Sequence, residues 1–216
     1  MVQTDKLTEI EIIRRIVSGG EKSLYEIIVR RFNPYLYKTG RSYNYDHEST
    51  LDLMQETFVD AYRHLAQFEG RSDFKTWIIR IMLNHCYHRK QAAAFKNEIT
   101  TDVNDNSKPM FTSSNYDTGK TVQNKELGHI IEAALGRIPL NYRLVFSLRE
   151  INGFSVAETA GLMNISEDNV KVRLNRAKAF LRTEIEKTYT ATELFEFNLI
   201  YCDAMVENVM KKINEY

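Results

Sequence analysis

The chain has 216 residues, 43% apolar and 27% charged, and its 29 Lys and Arg balance its 29 Asp and Glu. That length suits one large or two small domains with a packed core, and the zero net charge gives no whole-chain signature of a polyanion binder. No apolar run approaches the roughly 18 residues of a membrane span, the polar start MVQTDKLTEI does not read as a secretory signal, and three prolines with nine glycines argue against a loop-rich or all-β chain.

Helical spacing dominates. Thr8 followed by Glu11 reads as a capping box opening a first helix through Val17, ended by Gly19-Gly20. A second helix places Leu24, Ile27, Ile28 and Phe32 on one face, and Asn33-Pro34 is expected to break or kink it. A third starts at Ser49 or Thr50, with Leu51, Met54, Phe58, Ala61 and Leu65 as its stripe. After a loop at Gly70, Asp73 caps a fourth helix running to about Ala94. Residues 97–124 hold TTDVNDNSKPMFTSSNYDTGKT, which is flexible-linker composition. Periodicity returns with Leu127, Ile130, Ile131 and Ala134, punctuated by Pro139. Further helices are expected over about 140–151, 156–163 and 167–186, and an amphipathic one in the tail with Leu199, Cys202, Val206, Val209 and Ile213. The fold class is all-α: two helical domains, a joint and a helical C-terminal extension.

Charge is unevenly distributed. Lys171, Arg173, Arg176, Lys178 and Arg182 follow one another without an acid, as do Lys75, Arg80, Arg89, Lys90 and Lys96. Acids gather between Asp46 and Asp60. Residues 155–182 carry the most specific pattern. Ser155 and Glu158 form a second capping box, Asn164 can close that helix in the left-handed conformation, and Ser166 caps the next. Ile165 and Val170 stand at hydrophobic-staple positions, while Val156, Ala160, Leu162, Val170, Leu174 and Ala177 can bury inner faces. This is a helix-turn-helix. Its second helix leaves Lys171, Val172, Asn175, Arg176 and Lys178 outward, suited to a major groove where Arg and Lys meet guanine or phosphate and Asn meets adenine.

A second motif narrows the function. Residues 51–90 contain Asp52, Leu53, Gln55, Glu56 and Phe58, then Leu65 and Phe68, then Phe74, Thr76, Trp77, Arg80, Ile81 and Asn84. This resembles the promoter-melting domain of extracytoplasmic-function (ECF) sigma factors, with its D-L-x-Q-E-x-F, L-x-x-F, F-x-T-W and R-I-x-x-N pattern. NVKVRLNRAKAFLR, with Ile138-Pro139 before it, resembles the family's final DNA-reading helix. The resemblance covers roughly residues 10–187.

It implies sigma region 2 over 1–96, a linker over 97–124, sigma region 4 over 125–187 and an extension over 188–216. It also implies core RNA polymerase and promoter DNA as partners, with an anti-sigma factor as a further partner. A sigma factor directs promoter recognition, DNA melting and transcription initiation. It has no catalytic residues of its own, no cofactor or metal and no membrane insertion, and it works in the cytoplasm. Asp52, Leu53, Gln55, Glu56, Phe58 and Asp60 are then the polymerase-binding residues. Their acidic, hydrogen-bonding face suits a basic protein partner better than phosphates. Phe68, Arg71, Phe74, Lys75, Arg80, Asn84 and Arg89 are the −10 residues, since aromatics interleaved with cations suit single-stranded DNA. Lys171, Val172, Arg173, Asn175, Arg176 and Lys178 are the −35 residues. Two departures stand out: the loop carries Arg71 and Ser72 where relatives vary, and Val172 stands where many carry Ser.

Two readings from other classes use the same features: a dimeric repressor on a palindromic site, and a protein-interaction module without DNA affinity. His85, Cys86 and His88 do not share one helical face as metal ligands would, and Cys202 reads as a buried small hydrophobe.

Overall fold

The computed structural model describes residues 7–95 and 131–188. The predicted linker and C-terminal helix lie outside them. The described residues contain helices and turns and no strand.

Helix α1 (Glu9–Gly19) begins with the expected capping box. The Glu11 amide donates to Thr8 Oγ1 at 3.3 Å, and the Thr8 amide donates to Glu11 Oε2 at 3.1 Å. Gly20 closes the helix at φ 69°, a conformation that glycine adopts without a Cβ penalty. Ile12, Ile13 and Ile16 face the core.

Helix α2 (Tyr25–Arg41) is continuous through Pro34, where a break or kink is expected. Proline removes the bond its amide would make to the carbonyl of Arg30. The face formed by Ile28, Phe32, Leu36 and Gly40 is buried on both sides of that point, and packing outweighs one lost bond. Gly40 is where three helices meet: a Cβ there would lie 2.7 Å from Thr50 Cγ2 and 2.9 Å from Met82 Cε.

Helix α3 (His47–Arg63) starts before the predicted Ser49 or Thr50, because Asp46 is the cap and accepts from the Ser49 amide at 2.7 Å. It ends before Leu65, which sits in a 3₁₀ turn, Leu65–Gln67. Helix α4 (Phe74–Phe95) starts directly after Asp73, as expected. Helices α2, α3 and α4 form a bundle pinned by tyrosines. Tyr25 donates to the Phe58 carbonyl and Tyr45 to the Cys86 carbonyl, both at 2.7 Å.

The second part comprises α5 (131–137), α6 (Leu140–Phe146), α7 (Val156–Met163) and α8 (Glu167–Thr188). The expected single helix over 140–151 is instead α6 followed by a π-helical turn, Ser147–Ile151, ending with the Asn152 amide on the Ser147 carbonyl at 2.9 Å. The Ser155–Glu158 capping box and the left-handed Asn164 (φ 52°) are in place. The Asn169 amide donates to Ser166 Oγ at 3.3 Å.

The core is not divided where the sequence suggests. Leu144, Leu148 and Phe154 belong to the same buried cluster as Ile28, Phe32, Leu53, Phe74, Ile78 and Met82. A small cluster of Val145, Ala160 and Val170, with Val156, Ile165 and Leu174 against it, holds the helix-turn-helix itself together.

Candidate nucleic-acid interface

Helix α3 turns Leu53, Met54, Thr57, Phe58 and Ala61 inward. Leu53 and Phe58 are largely lost to a partner: they are 1% and 8% exposed, and Phe58 reaches the surface only in the lining of a groove with Leu51, Val59 and Tyr62. Their place in the motif reflects packing, a correction to their assignment as polymerase contacts. The outer side presents Asp52, Gln55, Glu56, Val59, Asp60 and Arg63 along one groove. Leu51 and Val59 are large apolar side chains left exposed there. The face is thus acidic, amide-bearing and partly greasy.

Part of its charge is already engaged from α4. His85 Nε2 lies 2.9 Å from Asp60 Oδ2 and its Nδ1 lies 3.4 Å from Glu56 Oε2. Arg89 reaches Glu56 at 3.5 Å and donates to the Ser49 carbonyl at 3.1 Å. Arg89, expected on the −10 surface, ties α4 to the acidic helix and also lines the cleft onto which Asn84 opens. Cys86, the next residue, is fully buried, and burial pushes its thiol up to about 12. Among the described residues, no cluster of His, Cys, Asp and Glu could hold a metal ion.

The other predicted −10 residues divide by burial. Phe74 is 3% exposed, packed edge-on to Phe68 and tilted against Phe32 and Trp77 at 5.2–5.3 Å, so it is core rather than a stacking platform. Phe68 and Trp77 are half-buried beside it. Arg71 stands in solvent, paired with Glu69 at 2.5 Å. Arg80 and Asn84 are exposed on α4. Asn84 opens onto a cleft of about 840 Å³ between α3 and α4, shared with Gln67, Trp77, His88 and Arg89. Gln67 escapes the sequence reading because it belongs to no charge run or motif, and His88 enters it only as a metal ligand.

Lys75 is the most constrained cation of the group. Its Nζ donates to the Asn152 carbonyl and lies 4.3 Å from the Tyr35 ring centroid and 4.5 Å from that of Phe154. Burial lowers its pKa below the usual lysine value.

On α8, Val170 and Ala177 are buried while Lys171, Val172, Asn175, Arg176 and Lys178 are exposed and Arg173 is half-buried. Lys171 pairs with Asp168 at 3.1 Å and Lys178 with Glu150 at 2.9 Å. Arg176 donates to the Tyr142 hydroxyl at 3.2 Å, and Tyr142 stacks on Phe180 at 5.6 Å. Exposed ion pairs of this kind are weak enough to exchange for phosphate.

One group was invisible to sequence reasoning. Arg143 is 5% exposed and donates to the carbonyls of Ser42 (2.6 Å), Gly136 (2.8 Å), Leu135 (3.2 Å) and Ile138 (3.3 Å). Burial lowers its pKa to about 10. Arg41 pairs with Glu132 at 2.8 Å in a largely buried setting, and Asn152 Nδ2 reaches Thr39 Oγ1 at 3.3 Å. The only signal was a lone basic residue inside the apolar stretch LNYRLVF.

Two family models match the chain: Sigma-70 region 2 over residues 28–95, and Sigma-70 region 4 over residues 128–181. The ECF RNA polymerase sigma-E factor of Escherichia coli K12 is 26% identical over 195 residues, covering 85% of this chain and 97% of that protein. The Haemophilus influenzae protein of the same name is 27% identical over 197 residues, covering 84% and 97%. Among solved structures, CnrH in complex with the cytosolic domain of CnrY has a TM-score of 0.57 at 21% identity, over 82% of this chain and 97% of that one. The sigma factor RpoE of Bartonella quintana, bound to the anti-sigma factor NepR, has 0.58 at 20%, over 75% and 96%. These two share the fold.

Proposed function

The chain belongs to the sigma-70 family as an extracytoplasmic-function sigma factor that directs promoter-specific transcription initiation, and on that footing we propose how its surfaces divide the work. The outer side of α3, with Asp52, Gln55, Glu56 and Asp60 around Val59, takes core RNA polymerase. The α4 side, with Lys75, Arg80 and Asn84 and the loop at Phe68 and Arg71, takes the unpaired −10 strand. The outer side of α8, with Lys171, Val172, Arg173, Asn175, Arg176 and Lys178, enters the −35 major groove. Residues 1–96 and 125–187 then act as the two domains, 97–124 as their linker and 188–216 as an extension.

The observation that carries this reading is the polarity of α8. Val170 and Ala177 are wholly buried while Val172 and its polar neighbours project outward, so a reading helix stands clear of its own core. The zero net charge means that affinity for DNA alone is modest. Polymerase holds both domains at the correct spacing and raises their effective concentration on the promoter. The chain does no chemistry itself and works in the cytoplasm beside the enzyme it recruits. An anti-sigma factor of the class seen with the RpoE relative belongs to the same proposal.

The test is run-off transcription with core polymerase on a promoter library. Selected start sites that lose upstream preference in Asn175→Ala support the reading. A chain that never associates with core polymerase overturns it.

A further inference from the structure

The cations on the outer side of α8 are not all held alike. Lys171 faces Asp168 at 3.1 Å, Lys178 faces Glu150 at 2.9 Å and Arg182 faces Glu186 at 2.7 Å, so each of these charges is met by a carboxylate. Among the described residues, Arg176 meets a neutral group instead: its Nη1 donates to the Tyr142 hydroxyl at 3.2 Å. Tyr142 stands in the first turn of α6, where its amide donates to the Pro139 carbonyl at 3.0 Å. Its ring is half-buried and stacks on Phe180 at an interplanar angle of 27°. Phe180 follows Arg176 by one turn of α8 and is 42% exposed.

This trio adds little to the core. Val145 of α6 and Val170 of α8 already close the contact between the two helices, while Arg176 and Phe180 stay in solvent. The phenol accepts from Arg176 and so keeps its own proton to donate, and the guanidinium keeps its remaining N–H groups. Two donors from two different helices therefore converge, one of them carrying a full charge.

Where such a pair meets a duplex follows from size. The major groove is about 12 Å wide, and an α-helix with its side chains fills about 10–12 Å. With α8 in the groove there is no room for α6 beside it, so α6 stands at the sugar-phosphate rim. Tyr142 is then at that rim, and Arg176 is held there with it. Asn175, one residue back, is turned roughly 100° around α8 and still faces the groove.

We propose that Tyr142 and Arg176 form a two-donor clamp on one backbone phosphate at the edge of the −35 element. Tyr142 fixes the guanidinium and donates its own hydroxyl proton to the same phosphate. The inference rests on the reading that α8 enters the −35 groove, and it makes Arg176 a backbone contact rather than a reader of guanine. The hydroxyl orients the guanidinium without cancelling its charge. Binding then breaks no ion pair at Arg176 and freezes less side-chain freedom, whereas Lys171 and Lys178 must first release a carboxylate.

The test uses holoenzyme on duplex promoters that each carry a single methylphosphonate, which removes one backbone charge. With the original chain one upstream phosphate should stand out, its neutralisation weakening binding about tenfold. Arg176→Ala should weaken binding to the unmodified promoter equally for every upstream base sequence, lower the log–log salt slope by about one unit and abolish sensitivity to that phosphate. Tyr142→Phe keeps the ring on Phe180 and should leave the thermal melt in place. It should weaken binding about threefold and blunt sensitivity at the same phosphate. The double variant should bind within about twofold of Arg176→Ala alone, because the two side chains act as one unit.

Arg176→Ala that alters preference at a single base pair would overturn the clamp, since Arg176 would then be reading a base. So would Tyr142→Phe with an unaltered phosphate profile. A holoenzyme that initiates at selected sites yet ignores every upstream methylphosphonate refutes the placing of α8 on the −35 duplex, and the clamp with it. Sensitivity that persists unchanged in both single variants refutes the clamp alone.

Discussion

The Arg143 guanidinium donates to the carbonyl of Ser42 at 2.6 Å, bridging positions 101 residues apart in sequence. A planar donor with several N–H groups serves four carbonyls at once, which a lysine ammonium cannot do. Arg143→Ala should therefore cost on the order of 2–4 kcal/mol in a urea melt, since it leaves buried acceptors unpaired. Arg143→Lys should recover at most about half of that. A melt unchanged by Arg143→Ala would mean the four carbonyls find water instead.

Burial along α3 separates stability from partner binding. Leu53→Ala removes a fully packed side chain and should cost about 2–5 kcal/mol. Gln55→Ala, on the exposed side, should leave the melting temperature in place and weaken binding of labelled core polymerase about tenfold, an interface side-chain effect of roughly 1–2 kcal/mol. Titration of both variants against core polymerase, alongside thermal melts, checks the division.

On α8 the two kinds of contact should respond differently to salt. Lys171→Ala should lower promoter affinity for every sequence and reduce the log–log salt slope by about one unit. Asn175→Ala should instead alter preference at one upstream base pair by about 1–3 kcal/mol. Binding of holoenzyme to a promoter series at several salt concentrations distinguishes them.

Alkaline pH should unfold the chain cooperatively. Burial raises the hydroxyl pKa of Tyr45 to about 12 and pushes those of Tyr25 and Tyr43 higher still; the Cys86 thiol also rises to about 12. Groups whose folded pKa is raised contribute stability that is complete below their unfolded values, near 9 for the thiol and 10 for the phenols. That contribution is lost as pH climbs through the folded values. Arg143, with its folded pKa depressed to about 10, works the other way from pH 10 to its unfolded value, but it is one group against four. Absorbance at 295 nm should show part of the 12 tyrosines ionising only together with the loss of helical circular dichroism. Tyr45→Phe should remove one of the late-titrating groups.

Local features were legible in the sequence because local chemistry determines them. Thr8 with Glu11, Ser155 with Glu158, and Asn164 are each satisfied by backbone groups within four residues, so spacing alone locates them. Pro34 does not break its helix because its local penalty is outweighed by Phe32 and Leu36 packing on bundle partners far along the chain. Leu53 and Phe58 misled differently: they belong to the pattern that carries the resemblance, yet only the rotation of α3 on its neighbours decides that they point inward. The outward set on α8 was recoverable because Val170, Leu174 and Ala177 mark the inner face by periodicity. The pairing of Arg41 with Glu132, and the contact of Lys75 with Asn152, span 91 and 77 positions, for which no local pattern exists.

Phe154, Leu148 and Leu144 complete a cluster begun by Ile12 and Phe32. During synthesis the N-terminal bundle leaves the ribosome well before those three residues have been added. For that interval Phe32, Tyr35 and Phe74 border a surface whose natural cover does not yet exist, and nascent intermediates with uncovered apolar surface are the ones that aggregate. Production of this chain in quantity should therefore favour slow translation or chaperone assistance, and a fragment stopping at residue 96 should scatter light at concentrations where the whole chain stays clear.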